Sequence, residues 1–166
     1  SGPAQTEKGV GTGSPVKGKS NQAKIWNTLV GIGLDNEAAA GVLGNLQQES
    51  GFNPKASNGS HFGIAQWDST RWSRFEKMAK KNNWGSVNTV DAQARYLAWE
   101  IKSKTGGTSV GHLNAAKTAK EAAGVFESEF ERSGGSAMSN RYKYAREALQ
   151  QFGKGGYSRG AYNVAN

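Results

Sequence analysis

Through most of this chain, apolar residues recur every three or four positions, and several of the runs start at a residue type that caps helices. That periodicity constrains the fold more than any other feature. Ser20 is placed to cap a helix carrying Ala23, Ile25, Trp26, Leu29 and Val30. Gly31 and Gly33 end it, since glycine tolerates the left-handed cap conformation. Asp35 caps a second helix reaching about Ser50, and Ser69 or Thr70 caps a third holding Trp72, Phe75, Met78 and Ala79. A fourth runs from about Val90 to Ser103, with Ala94, Leu97, Ala98 and Ile101 on one side. A short helix follows near His112, and Thr118 caps one carrying Ala122, Val125, Phe126 and Phe130. The last covers about 137–152. Strand signals are nearly absent, so the pattern predicts an all-α fold of about six or seven packed helices.

The periodic region has different flanks. Residues 1–19 are rich in Gly, Ser, Lys and Pro and read as a flexible linker; residues 153–166 read as a flexible Gly-rich tail. Ser1-Gly2-Pro3 reads as a cloning remnant. Residues 20–152 are thus the expected folded domain, a size that can bury a core without staples. Without cysteine, disulfides and thiolate metal sites are excluded. No apolar stretch approaches the ~20 residues a membrane helix needs, so membrane insertion is not expected. The formal charge is +8, from 21 Lys and Arg against 13 Asp and Glu. Such an excess favours anionic partners, wall polymers among them. The basic residues are scattered, with no long run or arm, which weighs against nucleic acid.

The second helix carries the chemistry. Ala39, Val42, Leu43 and Leu46 form an apolar stripe, and Glu49 continues it at the helix's last turn. The negative end of the helix and partial burial both oppose ionisation there. A carboxyl that keeps its proton near neutral pH is what a general acid requires. A glutamate tilted out to solvent is the alternative.

Beyond Glu49-Ser50 come Gly51-Phe52-Asn53-Pro54 and then Gly63-Ile64-Ala65-Gln66-Trp67. A helix ending in Glu-Ser, a loop with Asn-Pro, and a Gly-apolar-apolar-Gln segment resemble the phage tail lysozyme family, within the lysozyme-like superfamily. Goose-type lysozymes and lytic transglycosylases share this order. The resemblance covers about 20–152, and it implies a lysozyme-like fold around a glycan-binding cleft. By that resemblance the chain would be a muramidase, cleaving peptidoglycan glycan strands between N-acetylmuramic acid and N-acetylglucosamine. It would sit in a virion tail, beside other tail proteins joined through its parent chain; a secreted or cell-surface wall hydrolase is the alternative.

The resemblance also assigns roles. Glu49 would protonate the glycosidic oxygen, and Ser50 would steady the carboxyl or the substrate. Gln66 would bond sugar, Gly63 would let backbone approach it, and Phe62 and Trp67 would offer ring faces or pack in the core. Tyr142 could face the cleft from the last helix. A second carboxylate, which most glycosidases need, would be Asp68, although Asp68 can equally cap the helix starting near Thr70. Glu127, Glu129 and Glu131 read as a solvated face, with Glu127 the distant second choice. A lytic transglycosylase would need no second carboxylate and would leave 1,6-anhydro ends. His61 and His112 lack metal-ligand spacing to a carboxylate pair, so no metal and no cofactor is expected. A reading of another class is a non-catalytic wall-binding or structural tail module.

Overall fold

The computed structural model describes residues 13–153. Its elements are α1 (Asn21–Gly31), α2 (Asn36–Ser50), β1 (His61–Phe62), β2 (Trp67–Asp68), α3 (Ser69–Lys81), α4 (Val90–Ser103), α5 (Val110–Ala115), α6 (Ala119–Phe126), a π-helical turn (Glu127–Glu131) and α7 (Met138–Phe152). The fold is all-α, as the periodicity predicts, with one two-residue antiparallel ladder pairing Phe62 with Trp67.

Local chemistry sets the helix starts. The side chains of Ser20, Asp35, Thr89, Ser109 and Thr118 each accept a hydrogen bond from the amide three residues on. For α3 the cap is Asp68, one residue before the expected Ser69 or Thr70. At its far end α2 stops on Gly51, left-handed at φ 61°.

Helix α2 is the axis of the molecule. Every residue from Ala38 to Leu46 is buried, so the helix is covered all round rather than on the single stripe that the sequence suggests. It packs chiefly on α6 and α7. Gly44 makes the second contact possible: a Cβ there would stand 2.6 Å from both the Ala145 nitrogen and the Arg141 oxygen. Leu43 and Leu46 are fully buried in that core, each contributing about 1.5–3 kcal/mol.

Part of the expected leading linker is held in place. The Gly13 amide bonds the Leu34 carbonyl, Trp26 Nε1 donates to the Ser14 carbonyl, and the Asn27 side chain pairs with both backbone groups of Val16. Residues 1–12, and 154–166 of the expected tail, lie outside the described residues.

Candidate active site

The turn after α2 brings its end against the 63–66 segment. Ser50 Oγ donates to the Ile64 carbonyl at 2.8 Å and lies 3.1 Å from the Leu46 carbonyl, while accepting from the Phe52 amide. Buried Gln93 of α4 fixes the other side. Its Oε1 accepts from the Ile64 amide, and its Nε2 donates to the Pro54 and Val87 carbonyls, all at 2.8 Å. Gln66 sits at φ 52°, a left-handed conformation costing a non-glycine residue ~1 kcal/mol. Its side-chain amide donates to the Gly63 and Ala56 carbonyls at 2.9 and 3.1 Å, which closes the turn.

These elements border a cleft of about 540 Å³, lined by Glu49, Ala56, Ser57, Asn58, His61, Gln66, Glu131, Arg132 and Ser133. Two carboxyls therefore share it. Glu49 Oε2 accepts from Arg141 Nη2 at 2.8 Å, and the Glu49 side chain is 18% exposed. Arg141 itself is buried on α7. It also donates from Nη1 to Asn45 Oδ1 and from Nε to the Ser136 carbonyl. The environment of Glu49 is thus an ion pair, not the apolar pocket that its place on the stripe suggests.

Glu131 has the opposite surroundings. Its Oε2 is buried and accepts no hydrogen bond. Burial first, then the nearby charge of Glu49, pushes its carboxyl well above the usual range, against the pull of Arg141 and Arg71. The π-helical turn brings this about. It widens the register so that Glu127 and Glu131 both turn inward, and Arg132 closes it in the left-handed region at φ 53°. The solvated face expected for these glutamates survives only at Glu129, which meets exposed His112. Glu127 is buried, its Oε2 taking bonds from the Ser133 amide and hydroxyl and the Gly135 amide. Burial pushes the Glu127 carboxyl up, but those bonds together with Arg141 hold it below the usual value.

The sequence pattern of the phage tail lysozyme family matches residues 20–152, a span containing both cleft carboxyls and Arg141. The chain belongs to that family. It also resembles morphogenesis protein 1 of Bacillus phage B103, at 26% identity over 125 residues. That stretch is 68% of this chain but 33% of the phage protein, so the chain spans about a third of its relative's length.

Of the residues that the lysozyme resemblance nominates, Glu49 and Gln66 line the cleft and the others serve elsewhere. Ser50 is engaged with backbone as described. Trp67 is buried, its ring against Phe75 and Tyr96 and its Nε1 donating to Glu100. Phe62 is half-buried against Trp72. Gly63, at φ 80°, faces the interior: a Cβ there would lie 2.7 Å from Gln93 Oε1 and 2.8 Å from Trp72. Tyr142 lies on the α6 side of α7, with the Lys120 ammonium over its ring. Asp68 is exposed, and its Oδ1 accepts from the Arg71 amide at 2.9 Å, the capping alternative. The sequence reading did not pair Arg141 with Glu49, and it left Glu131 on a solvated face. Arg141 lies four positions before buried Ala145 and seven before Ala148, on the apolar stripe of its helix. The same spacing rule that singled out Glu49 could have found it.

Proposed function

We propose that this domain cleaves the β-1,4 bond between N-acetylmuramic acid and N-acetylglucosamine in bacterial peptidoglycan, with Glu49 as the essential carboxyl. The observation that carries this reading is the Glu49 carboxyl itself. It ends a helix buried from Ala38 to Leu46, reaches an open cleft, and is held in one orientation by a buried guanidinium. Such preorganisation is what a cleavage site needs. Family membership supports glycan as the substrate, and the +8 charge favours attachment to anionic wall polymers. The relative's name, a phage morphogenesis protein, supports a place in the virion, with the tail as the proposed position.

Hydrolysis is the reading preferred here. Transglycosylation is favoured by one observation, that Asp68 is occupied as a helix cap and does not line the cleft. Mass analysis of the released fragments separates the two, with reducing ends from hydrolysis and 1,6-anhydro ends from transglycosylation.

The test of the function is loss of turbidity of a peptidoglycan suspension. Glu49→Gln keeps shape and removes the ionisable group. Turnover should fall by ~100- to 10,000-fold, the usual contribution of acid–base catalysis, with the melting curve still cooperative. A wild-type protein that binds walls without clearing them would point to the non-catalytic module. A Glu49→Gln variant retaining more than a tenth of the activity, by our threshold, would remove Glu49 from the mechanism.

A further inference from the structure

We propose that a groove between α1 and α4, on the side of α4 away from the cleft, holds a second stretch of peptidoglycan strand. Its sugar faces would lie against Trp84 and Trp99, and its carboxylates on Arg95 and Lys102. This rests on the peptidoglycan reading above and adds to it a site that holds the wall without cutting it.

The groove has a volume of about 550 Å³ and shares no lining residue with the cleft. Helix α4 separates the two. Gln93 points one way, to the Ile64 amide, whereas Arg95, Trp99 and Lys102 line the groove. At about 100° per residue, those three stand on the opposite side of the helix from Gln93. Both rings are half-buried and held in place. Trp99 lies on Tyr96 with ring centres 5.7 Å apart, and the Arg74 guanidinium stands 5.3 Å from its own centre. Trp84 sits between two left-handed residues, Asn83 at φ 55° and Gly85 at φ 85°, and its amide bonds the Ala79 carbonyl. Ile32, at the end of α1, lines the facing side.

A half-exposed tryptophan offers an apolar face that suits the C–H face of a sugar ring. A groove walled by aromatics with a few polar groups is a common form of ligand site. The charges select the glycan. Arg95 and Lys102 are exposed and, among the described residues, neither has an ion-pair partner. They stand about 10 Å apart along the helix. Cations nearby are committed: Lys24 pairs with Asp91 at 3.6 Å and Arg74 with Glu100 at 3.2 Å. Two unneutralised cations beside two rings fit a glycan that bears carboxylates, as peptidoglycan does on its peptide stems. A neutral glycan would leave both cations unused. Because groove and cleft lie on opposite sides of α4, the strand in the groove is not the one being cut. Its effect is avidity: a second attachment to the same wall keeps substrate near the cleft.

The experiment uses peptidoglycan stripped of phosphodiester-linked polymers. It compares the wild type with the double variant Arg95→Glu, Lys102→Glu and with Trp84→Leu, which keeps apolar bulk and removes the ring. Cosedimentation in the cold reads wall binding, cleavage of short soluble strands reads the cleft, and thermal melts check the fold. Wall binding should weaken ~10-fold or more in each variant. Its salt dependence should become shallower in the charge variant, while cleavage of short soluble strands stays at the wild-type rate. A loss below about threefold in either folded variant overturns the proposal. An equal loss on soluble strands also overturns it, because the residues would then be acting through the cleft. So does wild-type binding that needs the phosphodiester-linked polymers, since the occupant is then a different polymer. Should one variant not fold, the other decides. If the wild type binds walls through the groove and releases no fragments, the cleavage reading fails and the holding site stands. If it cuts walls and the variants bind as it does, the reading stands and the holding site falls.

Discussion

Glu100 and Glu131 both place a carboxyl oxygen in the interior, and the protein treats them in opposite ways. Glu100, fully buried on α4, has donors on both oxygens: Trp67 Nε1, the Arg71 guanidinium and the Arg74 guanidinium, at 2.8–3.2 Å. Glu131 has a buried oxygen with none. Arg71 links the two regions, bonding Glu100 while its guanidinium lies 4.4 Å from the centre of the Phe130 ring, next to Glu131 in sequence. A saturated carboxylate is a fastening, here joining β2, α3 and α4. An unsaturated one is costly to ionise, so its surroundings favour the protonated form. The contrast teaches that buried charge in this molecule must be sorted by its partners, not by its burial.

The largest effect that would break the comparison is expected at the fastening. Glu100→Gln removes the counter-charge of Arg71 and Arg74 and leaves two cations facing a neutral amide. Removing one partner of a buried pair costs about 3–5 kcal/mol. The low end, ~3 kcal/mol, is expected because the Arg74 side chain is 41% exposed and screened by solvent. Urea unfolding should record that loss, while the activity of the folded fraction stays close to wild type. A loss of turnover without a loss of stability would place Glu100 on the wrong side of the comparison.

The second effect has the reverse sign and depends on pH. Because the folded-state carboxyl of Glu131 titrates well above 4.5, the folded protein keeps a proton that the unfolded chain releases. Stability from this group is therefore fully present below about pH 4.5 and is lost as pH rises toward the folded value. The slope approaches about 1.4 kcal/mol per pH unit inside that window. Glu131→Gln has no such proton to lose, so its stability relative to wild type should improve steadily with pH. Urea melts at four pH values between 4 and 8 would show this. A difference that does not vary with pH would mean that Glu131 is ionised in the folded protein, and the contrast with Glu100 would disappear.

How much of this was legible follows from the range of the interactions. The helices were, because caps and apolar spacing act within a few residues. Ser20, Asp35 and Thr118 each cap where the sequence places them. Glu49 was nominated by its own helix and brought by the fold to the cleft. Its partner was not, because Arg141 lies 92 positions away and reaches Glu49 only when α7 packs across Gly44. The π-helical turn was invisible for a related reason. Its register places Glu127 and Glu131 inward by packing rather than by propensity, so a 3.6-residue reading leaves Glu131 among solvated neighbours. Trp67 shows the converse. Its motif suggested a sugar platform, but whether a ring faces a cleft or a core depends on Phe75, Tyr96 and Glu100, none of them near it in sequence.

The smallest effect concerns Asp68, a carboxyl of a third kind, exposed and bonded only locally. Its Oδ1 accepts from the Arg71 amide, so it sets the start of the helix that carries Arg71. Asparagine also caps well, so Asp68→Asn should cost about 1 kcal/mol or less. Turnover should stay near normal if capping is the whole role. A large fall in turnover with little loss of stability would instead mean that Asp68 positions water during the reaction, as the lysozyme resemblance suggests. The two outcomes also bear on Glu131. If Asp68 can be neutralised at little cost, the reaction either needs no second carboxyl, as in a transglycosylase, or takes one from elsewhere in the cleft, where Glu131 also lies. If Asp68→Asn abolishes turnover, Asp68 is the second carboxyl, and the upward push on Glu131 reflects only its burial and the neighbouring Glu49 charge.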